Sequence, residues 1–68
     1  MRDINRIEPF MVELEKKWKK VPDMRFGQFM SNVLGEVYEL SGHRDIFFIE
    51  DEKMMDYINR IEWLKDKE

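Results

Sequence analysis

The chain has no cysteine and only one histidine, His43. Neither a disulfide framework nor a thiolate metal site can therefore reinforce it. His43 stands in a short stretch between Gly42 and Arg44 with no acid placed around it by a recognisable motif, so no catalytic triad can be assembled. A His-Glu-x-x-His metal signature is missing as well. The three glycines are scattered at 27, 35 and 42, which excludes a glycine-rich phosphate loop. With nucleophile, base and cofactor signatures all wanting, the expectation is a protein that is not an enzyme, with no catalytic residues, no cofactor and no metal. No run approaches the ~20 apolar residues of a membrane helix. Met1-Arg2-Asp3 leads into no apolar stretch that reads as a signal peptide. These two absences predict a cytoplasmic protein with no membrane partner.

What is present suits a small folded domain. Hydrophobic residues make up 43% and charged residues 40% of 68 positions, too apolar for a disordered segment and too charged for a membrane span. A chain of this length hides only ~60% of the surface its unfolded state exposes, so a single domain over residues 1–68 with one compact core is the expectation. The net charge of -3 provides no long-range attraction for nucleic acid, which usually meets a clustered basic footprint.

At 100° per residue from Ile7, the side chains of Phe10, Met11, Leu14, Trp18 and Val21 share one stripe, predicting a first helix over about residues 6–21. Asn5 with Glu8 can form a capping box, Pro9 suits the first turn, and Val21-Pro22 ends the helix. Asp23 is a suitable N-cap for a second helix over about residues 24–41, where Phe26, Phe29, Met30, Val33, Val37 and Leu40 recur at three- and four-residue spacing. Gly42 is its natural stop. Ile46-Phe47-Phe48-Ile49 is too short for a helix and has no partner strand, so it reads as an extended plug in the core. Glu50-Asp51-Glu52 then opens a third helix over about residues 51–66, with Met54, Ile58 and Ile61 inward and Ile49 and Met54 placed as a hydrophobic staple. The fold class is all-α: a small three-helix domain with a short extended apolar segment between helices 2 and 3.

Five features invite a functional reading. Lys16-Lys17-Trp18-Lys19-Lys20 has the basic and aromatic pattern of a phosphate-binding patch, although Trp18 lies in the apolar stripe and Glu13 and Glu15 stand four residues before Lys17 and Lys19. The acids Glu50-Asp51-Glu52 lack EF-hand spacing and suit the positive end of a helix dipole instead. On helix 2, Arg25, Gln28, Asn32, Glu36 and Glu39 form a polar stripe. Arg25 opposes the dipole there, so an acid should compensate it, with Asp23 or the Glu50-Asp51 pair as candidates. Gly27, Ser31 and Gly35, rimmed by Met24 and Tyr38, form a stripe of small residues. Two glycines inside a helix sacrifice ~2 kcal/mol relative to alanine, which a closely approaching backbone, from helix 1 or 3 or from another molecule, would offset. On helix 3, Trp63 projects away from the core side, and tryptophan is enriched in binding hot spots. The candidate partner-binding residues are therefore Met24, Arg25, Gly27, Gln28, Ser31, Asn32, Gly35, Tyr38 and Trp63.

At Arg6-Ile7, Trp18-x-x-x-Pro22-Asp23-Met24-Arg25-Phe26-Gly27-Gln28-Phe29 and Asp45-Ile46-Phe47-Phe48-Ile49-Glu50-Asp51, the chain resembles short proteins of bacteria and their phages and is similar to the YihD-like family. The similarity to that family rests on the arginine-hydrophobic start, the Trp-x-x-x-Pro-Asp spacing and the Gln-Phe pair. YihD-like proteins continue past residue 68 and lack counterparts of Arg25 and Gly27. The resemblance implies a helical fold in a bacterial or phage setting and carries over no activity or catalytic residue.

The expected function is protein–protein interaction: a small accessory or regulatory module that binds a protein partner or a second copy of itself. The alternative is a nucleic-acid-associated regulator using Lys16 to Lys20 with Arg25.

Overall fold

The computed structural model describes residues 2–65 and is all-α, with three helices and no strand among those residues. Helix α1 spans Ile7–Lys19, α2 spans Phe26–Leu40 and α3 spans Asp51–Asn59, with single 3-10 turns at Ile4–Arg6, Ile46–Phe48 and Glu62–Leu64. No helix is long and apolar enough to cross a membrane.

The chain enters α1 through the 3-10 turn at Ile4–Arg6. The expected Asn5/Glu8 box is replaced by Asp3, whose carboxylate accepts from the Asn5 N–H at 2.9 Å. The link to α2 is a tight turn in which the Met24 N–H donates to the Val21 carbonyl at 3.1 Å. Pro22 and Asp23 occupy its two central positions, where proline's fixed φ is already suitable. Asp23 is thus used up in the turn, and α2 starts at Phe26 with Arg25 rather than Asp23 in the cap position. Arginine has no acceptor, so the cap there is one-sided: the Gln28 side chain accepts from the Arg25 N–H at 3.0 Å.

Helix α2 runs through Gly35 to Leu40 and closes as expected at Gly42. Gly42 and His43 both have left-handed backbones (φ 76° and 70°), and the His43 N–H reaches back to the Tyr38 carbonyl at 2.8 Å. Glycine takes such a φ without strain, whereas His43 needs support. It stacks flat on Tyr38 at 4.8 Å between ring centroids and meets the Glu39 carboxylate at 2.9 Å.

Two expectations about the second half are corrected. The Ile46–Ile49 run is no extended core plug: Ile46–Phe48 coils into a 3-10 turn capped by the Asp45 carboxylate, and Phe47 and Phe48 are 84% and 65% exposed. Only Ile49 packs against the core. The third helix does not reach Lys65; it stops at Asn59, Ile61 is extended, and a 3-10 turn follows at Glu62–Leu64. Asp66, the expected last residue, lies outside the described residues. The break has a packing cause, because on an unbroken helix Leu64 would stand about 120° from Ile58. With the break, Ile58, Ile61 and Leu64 are all buried.

The core consists of Leu14, Phe29, Val33, Val37, Ile58, Ile61 and Leu64. Phe10, Trp18, Val21, Met24, Met30, Ile49, Met54, Met55 and Tyr57 are packed around it, partly buried. Ile7 and Met11 on α1, and Phe26 and Leu40 at the ends of α2, were expected inward and are exposed instead. Their neighbours run out: α3 is nine residues long and cannot cover both ends of α2 and the outer half of α1.

Candidate interaction surface

The small-residue stripe of α2 turns out to be bare. Gly27, Ser31 and Gly35 are exposed, and a Cβ placed on either glycine would meet nothing within 4 Å. Neither α1 nor α3 of the same chain is seated there, which removes the internal explanation for the two helix-interior glycines. Tyr38 stacks on His43 and lines a separate groove with His43, Asp45 and Ile46.

The remaining candidates separate into two places. Met24, Asn32 and Trp63 come together with Glu36 around a shallow groove of about 280 Å³. Trp63 therefore lies beside the polar stripe of α2. Arg25 and Gln28 stay at the start of α2, tied by the backbone cap.

Of the acids expected to compensate Arg25, Glu50 and Asp51 are committed elsewhere, and Asp23 makes no ion pair with it among the described residues. Arg2 grips Glu50 with two hydrogen bonds of 2.6 and 2.7 Å, and Arg6 meets Asp51 at 2.7 Å. The Glu50 carboxylate, by hydrogen bonding first and by charge second, raises the Arg2 guanidinium above its ordinary pKa. These contacts clasp the N-terminal turn to the start of α3. Among the described residues Arg25 has no ion pair, and an exposed arginine in water needs none.

The basic stretch does not present a continuous phosphate-binding face. Lys16 pairs with Glu13 at 3.3 Å and Lys19 with Glu15 at 3.0 Å. Glu13 thus takes Lys16, one turn nearer than the expected Lys17. Lys20 donates to the Leu64 carbonyl at 2.9 Å. Trp18 is half-buried rather than fully buried. Its indole N–H donates to the Met24 carbonyl at 2.8 Å, and its ring stacks on Phe29 at 5.8 Å and tilts against Phe26 at 5.6 Å. No group of three His, Asp or Glu residues that could hold a metal ion occurs among the described residues.

One apolar surface is not among the residues singled out from the sequence. Met11, Leu14, Glu15, Trp18, Phe26 and Phe29 line a groove of about 300 Å³ between α1 and the first turn of α2. Ile7, at the start of α1, and Ile4, in the 3-10 turn before it, are exposed apolar residues that precede Met11. The signal was present: Ile4, Ile7, Met11, Leu14 and Trp18 alternate at three- and four-residue steps, the spacing of a helix seam that faces another helix. A second surface of this kind is the Phe47–Phe48 pair, edge to face at 5.0 Å. Four consecutive apolar residues in a short connector cannot all point inward, and that alone foretells exposure.

Compared with known proteins, the chain matches no family model, no curated protein and no solved structure.

Proposed function

We propose that the chain is a small protein–protein interaction or regulatory accessory module, of bacterial or phage origin, that works by binding a protein partner. The observation carrying this reading is the open apolar groove between α1 and α2, where Met11 and Phe26 are 51% and 58% exposed beside a half-buried Trp18. Single exposed apolar residues are ordinary. A run of them along one helix, continuous with an aromatic groove, is the composition of an interface awaiting its other half. The bare Gly27, Ser31 and Gly35 strip adds a place where a partner's backbone can approach α2 closely, and it supports the same reading. Three of the four lysines on which the nucleic-acid alternative relies are already engaged, Lys16 and Lys19 by glutamates and Lys20 by the Leu64 carbonyl, which favours the protein-binding reading over it.

Replacing Met11 and Phe26 together by serine tests the proposal. Circular dichroism should show an intact helical fold, while association measured by sedimentation, with itself or with proteins retained from a bacterial lysate, should fall to background. If wild type and variant behave alike in both assays, the groove is idle and the reading fails.

A further inference from the structure

The groove bordered by Met24, Asn32, Glu36 and Trp63 holds a carboxylate in an unusual situation. Glu36 is half-buried, and among the described residues it has no hydrogen-bond or ion-pair partner. Its helix cannot provide one, since the positions three and four residues away are Asn32, Val33, Glu39 and Leu40. By contrast Glu13, Glu15, Glu39, Glu50, Asp51 and Glu62 each meet a basic side chain within 3.3 Å. An unpaired carboxylate at a partly covered site is open to a cation entering from solution.

The rest of the groove suits such a cation. Trp63 is 37% exposed, and an indole is the aromatic ring that attracts cations best. Asn32 turns its amide nitrogen toward the Met24 sulfur at 3.8 Å, leaving its carbonyl oxygen to accept. The neighbouring cations are engaged, Lys20 on the Leu64 carbonyl at 2.9 Å and Lys65 on Glu62 at 3.2 Å.

We propose that this groove binds the guanidinium group of an arginine side chain presented by a partner protein. The Glu36 carboxylate takes two parallel N–H donors, the Trp63 indole packs against the planar cation, and the Asn32 carbonyl oxygen accepts a further N–H. Guanidinium is favoured over ammonium because its fork matches a carboxylate and its plane stacks on an indole at the same time. The proposal relies on the protein-binding reading only for the source of the arginine, and the groove shares no lining residue with the apolar groove of α1 and α2.

Titration with N-acetyl-arginine amide, followed by nitrogen–proton correlation NMR, is the test. Saturable shifts are expected at the Trp63 indole N–H and the Asn32 side-chain amide. The isosteric but neutral N-acetyl-citrulline amide should bind about tenfold more weakly, the combined worth of one ion pair and one cation–π contact at a partly exposed site. The lysine amide should fall between them. Glu36→Gln, which removes the ion pair and leaves the indole, should weaken arginine binding by about threefold with an unchanged melting temperature, and Trp63→Leu, which keeps apolar bulk and removes the cation–π contact, should weaken it similarly. Equal binding of arginine and citrulline, arginine affinity unchanged by Glu36→Gln, or no saturable shift would each overturn the proposal. If the wild-type chain still associates through Met11 and Phe26 in that case, only the arginine site is wrong; if both measurements fail, so does the protein-binding reading.

Discussion

Helix α1 and the remainder of the chain carry similar amphipathic patterns and spend them differently. From Phe29 onward the chain supplies Phe29, Val33, Val37, Ile58, Ile61 and Leu64 to the buried core, whereas α1 supplies Leu14 alone. Ile7, Met11 and Val12 on the same helix stay exposed. The spacing of apolar residues states which side of a helix avoids water, but what covers that side depends on the length of its neighbours. With α3 nine residues long, the domain lacks the material to cover all of α1.

The sharpest way to break this contrast is by truncation on each side. Phe29→Ala empties a site that is 1% exposed and should cost about 3 to 5 kcal/mol, enough to unfold a domain this small. Urea denaturation of that variant next to Trp18→Ala should separate them: the half-buried Trp18 should cost about 2 kcal/mol, nearer the value of one side chain's incomplete burial. Equal losses would mean that α1 belongs to the core as fully as α2 does. On the bare strip the sign reverses. Gly35→Ala adds a methyl that meets nothing and should raise stability by up to ~1 kcal/mol, read as an increase in melting temperature; a decrease would reveal a contact on that face. Smallest of all, Met11→Ser should change stability by less than about 0.5 kcal/mol, as exposed substitutions do. A loss comparable to Phe29→Ala would erase the distinction between the two regions.

Much of the architecture was legible beforehand because it rests on local rules. The number of helices, the stop at Gly42, the acids at the start of α3 and the inward Ile58 follow from periodicity and capping. The departures arise where distant parts of the chain compete for a residue. Asp23 suits a cap, but Pro22 draws it into a turn. Leu64 requires burial, and α3 breaks to allow it. Phe47 and Phe48 look like core residues by composition and are displaced because Ile49 alone fits. For the site, periodicity placed Asn32 and Glu36 in one stripe, yet it could not bring Trp63 beside them, since that pairing depends on the break after Asn59. The bare face of Gly27 and Gly35 likewise depends on where α1 and α3 sit, and spacing within α2 says nothing about that.

The clasp of Arg2 on Glu50 and Arg6 on Asp51 has a consequence for how the molecule opens. Residues 2–9 are all exposed, so no burial fastens the first turn of α1; the link to the start of α3 is ionic. Added salt at ~1 M shortens the Debye length to ~3 Å and weakens such exposed pairs. Ionic strength then acts as a dial on the amide protons of one end of the molecule. Hydrogen exchange at Phe10, Met11 and Val12 should accelerate with salt, while the amides of Val33 and Val37, shut inside α2, keep the rate of global unfolding. A protein that breathes from one end under ionic control loosens the helix turns that carry the outer half of its apolar seam before anything else, and does so without melting.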